Sequence, residues 1–476
     1  MLNRFITTCL LAFFHLIFFG QEVVWTEATS LSGFGVSKAF STKDSTIYII
    51  KQSKERPMEL LIDLFSYDLN KKLSSQISVE GNEINQISFF NNSLQVFAVE
   101  HLGKEDELFV YHYDSLCKLI EKKSLLKCKA YGGYHSYFDV SVSPDQKYCA
   151  VIGSDGYSPE QKEIIHAALY DTLWKEAYQK EIPTSILSQK KSYNAITVND
   201  NGVTYILKRE RKKSADQYYV YCVSKNGSET HHNLHLKARD IIDMRYELDS
   251  IGDLYLGGFY APPYKSLYEG FYIKKLNSEG TEFFSKEYMF NENVINAFNS
   301  KKDIKDFGYG LRKFHASHFE FINDKNLVLE AEHITKNKNK SGEMTHVQDG
   351  FVLISLSAKG GFQFATPVHT SQTDESHDGY WSSHSHVSYK GQDLLFLNIL
   401  GEGSKNVKES LPKNAIYHTY KITFDVNGVE KRELQEFNVN LENYALYSDF
   451  INRSNLPLLI VKSKDKDQYA IGLLKE

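Results

Sequence analysis

The sequence predicts an all-β fold: a β-propeller of four-stranded antiparallel blades, eight in number with seven as the alternative, closed by an outer strand taken from near the N-terminus. Three observations carry this. Runs of β-branched and aromatic residues alternate with polar ones along the chain, and 31 Tyr and 30 Phe supply a residue type that favours strands. Two unlike hairpins recur in fixed order, which is the mark of a repeat architecture. The last repeat lacks one strand, and a strand-like segment near the start belongs to no repeat.

The first hairpin of each unit is carried by segments such as "VSVSPDQKYCAVIGSDG" from Val140, "ITVNDNGVTYILKRE" from Ile196, "MRYELDSIGDLYLGGFY" from Met244, "FEFINDKNLVLEAEHI" from Phe319 and "HVSYKGQDLLFLNILG" from His386. Its second strand is often apolar on both faces, as strands between two packed layers are. The second hairpin follows in "YYVYCVSKNGSETHHNLHL" from Tyr218, "GFYIKKLNSEGTEFFSKEY" from Gly270, "GFVLISLSAKGGFQFATPV" from Gly350 and "IYHTYKITFDVNGVEKRELQEF" from Ile416. Gly227, Gly280 and Gly428 supply the positive φ that such turns need. Units start near residues 37, 84, 139, 195, 243, 318 and 386, and an eighth near 445 ends after its third strand. The segment "EVVWTEATSL", residues 22–31, is expected to close the ring as the missing fourth strand. A two-sheet sandwich is the rival fold, but sandwiches show no such fixed order of unlike hairpins.

Residues 1–20 read as a secretory signal peptide: Arg4, an apolar run from Cys9 to Phe19, then Gly20. Residues 21–476 are then one propeller domain, exported to the periplasm or cell surface, and no later run is long enough to span a membrane. A net charge of −5 offers no general attraction to nucleic acid or to anionic membranes. Cys117, Cys128, Cys149 and Cys222 match no zinc pattern; they read as buried thiols, with Cys117–Cys128 the one pair close enough for a local bridge.

The segment "DSIGDLYLGGFYAPPYKSLYEGFYIKKLNSEG", Asp249 to Gly280, resembles the repeat of extracellular bacterial β-propeller proteins, with its D-x-x-G-x-x-Y-x-x-G hairpin followed by F-[VI]-x-K-L-[DN]-x-x-G. "VSPDQKYCAVIGSDG", Val142 to Gly156, is similar to TolB-like blades, with Gln146 where Gly is usual. The resemblance implies the fold and an envelope location. It implies no catalytic residues, because these repeats share architecture and not chemistry.

In such a ring, the first strand (A) lines the axis and the fourth (D) lies outside. The A→B and C→D turns here are short. The long segments are B→C and D→A connections: 153–164, 257–270, 332–350, 401–415, 289–317 and 368–385. One face is therefore expected to be plain and the other decorated, and binding residues favour such loops on a rigid scaffold. Three D→A entries carry Gly-Tyr and His-Ser elements: "YGGYHSYFDV" (Tyr134, His135), "FGYGLRKFHASHFEF" (Tyr309, His315, His318) and "HDGYWSSHSHVSYKG" (Tyr380, Trp381, His384, His386). These nine residues are the candidate ligand-binding set, expected at the mouth of the axial channel. His-x-His on a strand puts both imidazoles on one face and suits a metal; the aromatics suit carbohydrate or peptide; a polar plug is the bland alternative. Asp155 in "GSDGYSPE" could ligate calcium or belong to a polar turn, and "KRERKKSAD" (208–216) reads as a solvated basic loop. No phosphate-binding Gly-rich loop, G-x-S-x-G or spaced carboxylate pair stands out, and the sequence names no cofactor. The expectation is a non-catalytic binding or scaffold module for an envelope protein or extracellular ligand. The alternative is an envelope enzyme acting on polysaccharide or peptide at the channel mouth.

Overall fold

The structure is a computed structural model. It describes residues 23–474, apart from 32, 43–45, 191–192, 213–215, 264, 266, 324, 339–343, 375–383, 390–391, 401–416, 426, 436–443, 447–449, 453–457 and 464–467. The expected signal segment therefore lies outside the described residues.

Eight antiparallel sheets follow one another along the chain. Blade I is Phe34–Ser41, Ile47–Ser53, Glu59–Phe65 and Lys71–Ser78. Blade II is Glu83–Phe90, Ser93–His101, Glu105–Tyr113 and Leu119–Lys129. Blade III is Tyr137–Val142, Tyr148–Ser154, Lys162–Asp171 and Glu176–Leu187. Blade IV is Tyr193–Val198, Thr204–Glu210, Gln217–Val223 and Glu229–Leu234. Blade V is Asp240–Leu248, Leu254–Ala261, Gly270–Leu276 and Glu282–Met289. Blade VI is Phe314–Asn323, Asn326–Lys338, Met344–Ser357 and Phe362–Asp374. Blade VII is His384–Tyr389, Gln392–Leu400, Tyr417–Phe424 and Glu430–Gln435. Blade VIII is Tyr444–Leu446, Leu458–Ser463 and Gln468–Leu474, and its outer strand is supplied by Val23–Trp25 and Thr29–Ser30.

The burial of each strand follows its residues. Strand B of blade V, "LYLGGFYA", is buried at every position, between two neighbouring blades. Strand D of blade III alternates exposed and buried residues over most of its length, as an outer strand with one solvated face does. Gly227, Gly280 and Gly428 take φ near 80° at their turns. Gln146, where the resemblance implies Gly, also sits at φ 62°, and its buried side chain accepts the Asn92 amide at 3.0 Å. The backbone strain that Gly would avoid is thus offset by a tie to the A→B turn of blade II.

Eight buried apolar clusters lie between blades, one at each junction of a closed ring. Each is built from the facing surfaces of two blades; the one between blades II and III, for example, joins Phe97, Val110 and Leu126 to Phe138, Val151 and Trp174. Closure is made twice. Outside, Val23, Val24 and Trp25 pair with Leu474, Leu473 and Gly472. Inside, Phe450–Asn452 leaves blade VIII and pairs in parallel with Ala39–Ser41 of blade I. The outer closure was expected; the inner one was not, because a three-residue parallel pairing leaves no pattern in sequence.

Two expectations are corrected, for residues 332–350 and for Lys208, and two others are filled in. Residues 332–350 are less a loop than a continued hairpin: Ile334–Lys338 pairs with Met344–Gln348, and strand D pairs onward to His346↔Asp374. The 289–317 connection holds two helices, α1 (Glu292–Phe298) and α2 (Lys301–Phe307). Asn291 caps the first, and a Ser300–Asp303 capping box starts the second, a signal present in "NSKKD". Lys208 is no solvated loop residue: it is buried and ion-paired to Glu163 at 2.7 Å. The four described cysteines are free and buried, as the reading of buried thiols expected, and Cys117 and Cys128 form no bridge.

Candidate functional site

Strand A of each blade enters from the face that carries the B→C and D→A connections. Axial strands of neighbouring blades are clamped to one another by short polar side chains. Asn85 Nδ2 donates to Phe138 O at 3.1 Å, Asp139 Oδ2 accepts the Ile196 amide at 3.2 Å, and Asp243 Oδ2 accepts the Ala316 amide at 2.8 Å. These clamps hold the mouths of the connecting loops in register.

The best-defined group of polar side chains on the decorated face lies at the junction of blades II and III. It starts from "YGGY". Gly132 and Gly133 have φ of 55° and 84°, and the Tyr131 and Tyr134 amides and carbonyls bond reciprocally, at 3.1 and 2.8 Å. This is a two-residue hairpin turn that requires positive φ at both central positions, hence two glycines. The turn delivers His135 and Ser136 onto blade II. The Ser136 amide donates to Asp106 Oδ2 at 2.5 Å, and Ser136 Oγ donates to Lys129 O at 3.2 Å.

Asp106 is the second residue of strand C of blade II and lies directly across from His101 at the end of strand B. Its carboxylate is buried. Oδ1 lies 2.7 Å from His101 Nδ1 and 3.2 Å from His135 Nδ1. The two imidazole rings stack, with centroids 3.7 Å apart. Burial pushes the Asp106 carboxyl up, but the Ser136 amide and the two imidazoles outweigh it and hold the group below its ordinary range. Beside them, Tyr134 packs edge-on against Tyr157 at 5.1 Å, and Lys190 sits over both rings at 5.7 and 5.6 Å.

A second polar group continues along the same seam. Cys128 pairs across the sheet with Asp106. Asp155 Oδ1 accepts the Lys129 amide at 2.9 Å and faces His166 Nε2 at 2.9 Å. Asp155, a candidate calcium ligand or turn residue by sequence, is thus a fixed acceptor for a backbone amide and an imidazole. Further round the same face, an open cleft of about 370 Å³ between blades IV and V is lined by Asp216, Gln217, His235, Arg239, Asp240 and Pro263.

The nine sequence candidates separate by their contacts. Tyr134 and His135 belong to the II–III junction just described. Tyr309 follows α2 and is exposed. His315 and His318 lie on the axial strand of blade VI, three blades further on; His315 is exposed, and His318 Nε2 meets Glu320 Oε1 at 2.8 Å on its own strand. His384 and His386 lie on the axial strand of blade VII, paired with Leu397 and Leu395, and their side chains fall outside the described residues. Tyr380 and Trp381 also lie outside the described residues. His101 and Asp106 were missed. Their signal was "HLGKED": a His and an Asp flanking a short B→C turn, which cross-strand pairing brings together.

No family model matches the sequence, and no curated protein does. Solved structures with similar architecture include the WD40 domain of SCAP from fission yeast, at 9% identity and a TM-score of 0.44, covering 95% of this chain and 98% of that one. The β-propeller domain of the Trilobed protease from Pyrococcus furiosus is similar at 10% identity and a TM-score of 0.41, covering 85% and 99%. A protein from Lactobacillus plantarum is similar at 10% identity and a TM-score of 0.36, covering 83% and 96%. The eight-bladed fold stands on the strand pairing of this chain itself.

Proposed function

We propose that this chain is an exported, non-catalytic binding module that holds an envelope protein or an extracellular carbohydrate or peptide on its decorated face. One observation carries this: the elaborations share one face. The α1–α2 pair, the continued hairpin of blade VI, the "YGGY" turn and the cleft between blades IV and V all lie on the side of the B→C and D→A connections. Among the described residues of blades II to V, the opposite face is short turns, with single exposed apolar residues at the tips, such as Leu173 and Ile251. Isolated residues of this kind are ordinary surface. Export rests on residues 1–20 and on the resemblance to extracellular repeats.

The enzyme alternative has one observation in its favour. Burial raises two axial carboxyls, Asp139 to about 6 and Glu247 to about 7. Raised carboxyls on a channel are what acid–base catalysis would use. Both are otherwise accounted for. Asp139 accepts the Val140 amide at 2.9 Å through Oδ1 and the Ile196 amide through Oδ2. Glu247 sits across from Tyr255, beside the Asp249–Asp253 turn at the plain end of the channel.

The test is affinity capture from the native envelope by the mature chain, read by mass spectrometry. Leu102→Asp and Tyr309→Ala on the decorated face should each abolish capture of the specific partner or glycan. Leu173→Asp and Ile251→Asp on the plain face should leave it intact. The reverse pattern refutes the assignment of the face.

A further inference from the structure

We propose that His101, Asp106 and His135 form a binding site for a divalent first-row transition-metal cation of the Zn²⁺ kind, at the junction of blades II and III. The proposal goes beyond the partner-binding reading and does not depend on it.

The donor set is two imidazole nitrogens and one carboxylate oxygen, a combination that suits Zn²⁺ and its first-row neighbours. The three donor atoms lie within 4.8 Å of one another. Ligands held about 2.0–2.1 Å from a tetrahedral ion stand roughly 3.3 Å apart, and the His135 Nδ1–Asp106 Oδ1 separation is 3.2 Å. His101 Nδ1 lies closer, 2.7 Å from Asp106 Oδ1, so a cation between these atoms needs the His101 imidazole to draw back by a few tenths of an ångström.

The surroundings are built for ligands that must not wander. Asp106 is 1% exposed, and the Ser136 amide on Oδ2 turns Oδ1 toward the imidazoles. Partners behind the ligands orient them in the same way in metal sites generally. His101 is fixed by its cross-strand place opposite Asp106, and its amide donates to Asn82 Oδ1 at 2.7 Å. His135 is fixed by the preceding tight turn. The His135 side chain is 53% exposed and that of His101 is 23% exposed, so a cation has a path from solvent; three protein donors would leave a fourth tetrahedral position to an outside ligand. That position would take water, or an oxygen or nitrogen donor from whatever sits on this face.

The neighbouring trio of Cys128, Asp155 and His166 has similar donor spacing but is a poorer host. Cys128 is 2% exposed, and Asp155 Oδ1 is already engaged by the Lys129 amide and His166. Burial holds the Cys128 thiol well above its ordinary range, which disfavours the thiolate a metal needs. This trio serves as an internal control.

The experiment titrates Zn²⁺ into the mature chain, stripped of metal, by calorimetry and by thermal melting. One saturable Zn²⁺ per chain is expected, with an upward shift in melting temperature. His135→Ala and His101→Ala should each weaken Zn²⁺ by about tenfold or more and shrink the Zn²⁺-induced shift, measured in each variant against its own metal-free melting temperature. His166→Ala should leave Zn²⁺ affinity unchanged. Three results overturn the proposal: no saturable binding below millimolar Zn²⁺, unaltered affinity in His135→Ala, or loss confined to His166→Ala.

Discussion

The Tyr469 hydroxyl donates a 2.6 Å hydrogen bond to Asp63 Oδ2 across 406 positions of sequence, and both side chains are fully buried. Tyr469 is on strand C of blade VIII and Asp63 on strand C of blade I, so the bond ties the last blade to the first. Asp63 also pairs with Lys51 at 2.7 Å and Lys71 at 2.8 Å, and accepts Ser74 Oγ at 2.6 Å. The ring is locked by polar contacts as well as by its outer and inner strands.

This lock should be acid-sensitive. Burial pushes the Asp63 carboxyl up, but Lys51, Lys71, Ser74 and Tyr469 outweigh it and hold the group at about 2. The folded value lies below the unfolded one, near 3.9, so the ionised group adds stability above about pH 4 that is lost as pH falls toward 2. The difference is on the order of 2 kcal/mol. Asp63→Asn should cost about 3–5 kcal/mol at pH 7 by leaving Lys51 buried without its counter-charge. Urea unfolding at pH 7 and pH 3 checks this: the gap between variant and wild type should narrow at the lower pH.

Trp25 and Gly472 should behave as one packing unit. A Cβ at Gly472 would lie 2.7 Å from the Trp25 ring and from a Val23 methyl. Gly472→Ala should therefore cost about 1–3 kcal/mol by overpacking. A chain starting at Ser32 loses the outer strand of blade VIII and should aggregate or melt well below one that starts at residue 21. In that truncated background Gly472→Ala should add little. Equal melting of truncated and mature chains would remove the closure strand from the account.

The buried Lys208–Glu163 pair should be costly to break and cheap to replace. Glu163 Oε1 also accepts Asn194 Nδ2 at 2.9 Å. Lys208→Met or Glu163→Met alone should cost about 3–5 kcal/mol, whereas the two together should fall much closer to wild type. A double-mutant cycle in denaturant measures the coupling.

Glu247 should be a pH-dependent liability. Desolvation raises its carboxyl to about 7, with repulsion from Glu320 adding to the effect and the Leu248 amide opposing it. The raised folded value means that stability is highest below about pH 4.5 and falls as pH climbs through 7. Glu247→Gln should therefore stabilise the chain at pH 8 more than at pH 5. Thermal melts at the two pH values decide it.

Gly156 should be needed for the "YGGY" turn. A Cβ there would lie 2.2 Å from Tyr134 O and 3.1 Å from Tyr131 N, both backbone atoms that cannot swing away. Gly156→Ala should cost about 1–3 kcal/mol and weaken Zn²⁺ binding by displacing His135. Unchanged melting and unchanged Zn²⁺ affinity would show that the turn has more room than the structure gives it.

The sequence by itself determined the four-stranded blades, the order of their strands, the sides on which the short and long connections fall, and the outer closure by a segment within residues 22–31; the strand pairing settled the number at eight rather than seven. What the sequence determined is legible because strand alternation and turn residues such as Gly227 and Gly280 act within a few positions, and the orphan strand could be matched to the blade that lacked one. Tertiary structure alone decided which side chains meet across the seams. His101, Asp106 and His135 are neighbours because a B–C hairpin and a D→A turn from different points along the chain end at one junction. Tyr469 meets Asp63 because a ring brings first and last blades together. The fate of Lys208 turned on the same thing: in sequence it leads a basic run, yet ring geometry sets it against Glu163 of the preceding blade. Local periodicity specifies a strand and its faces; the partner across a blade junction depends on the position of another blade, which no local pattern records.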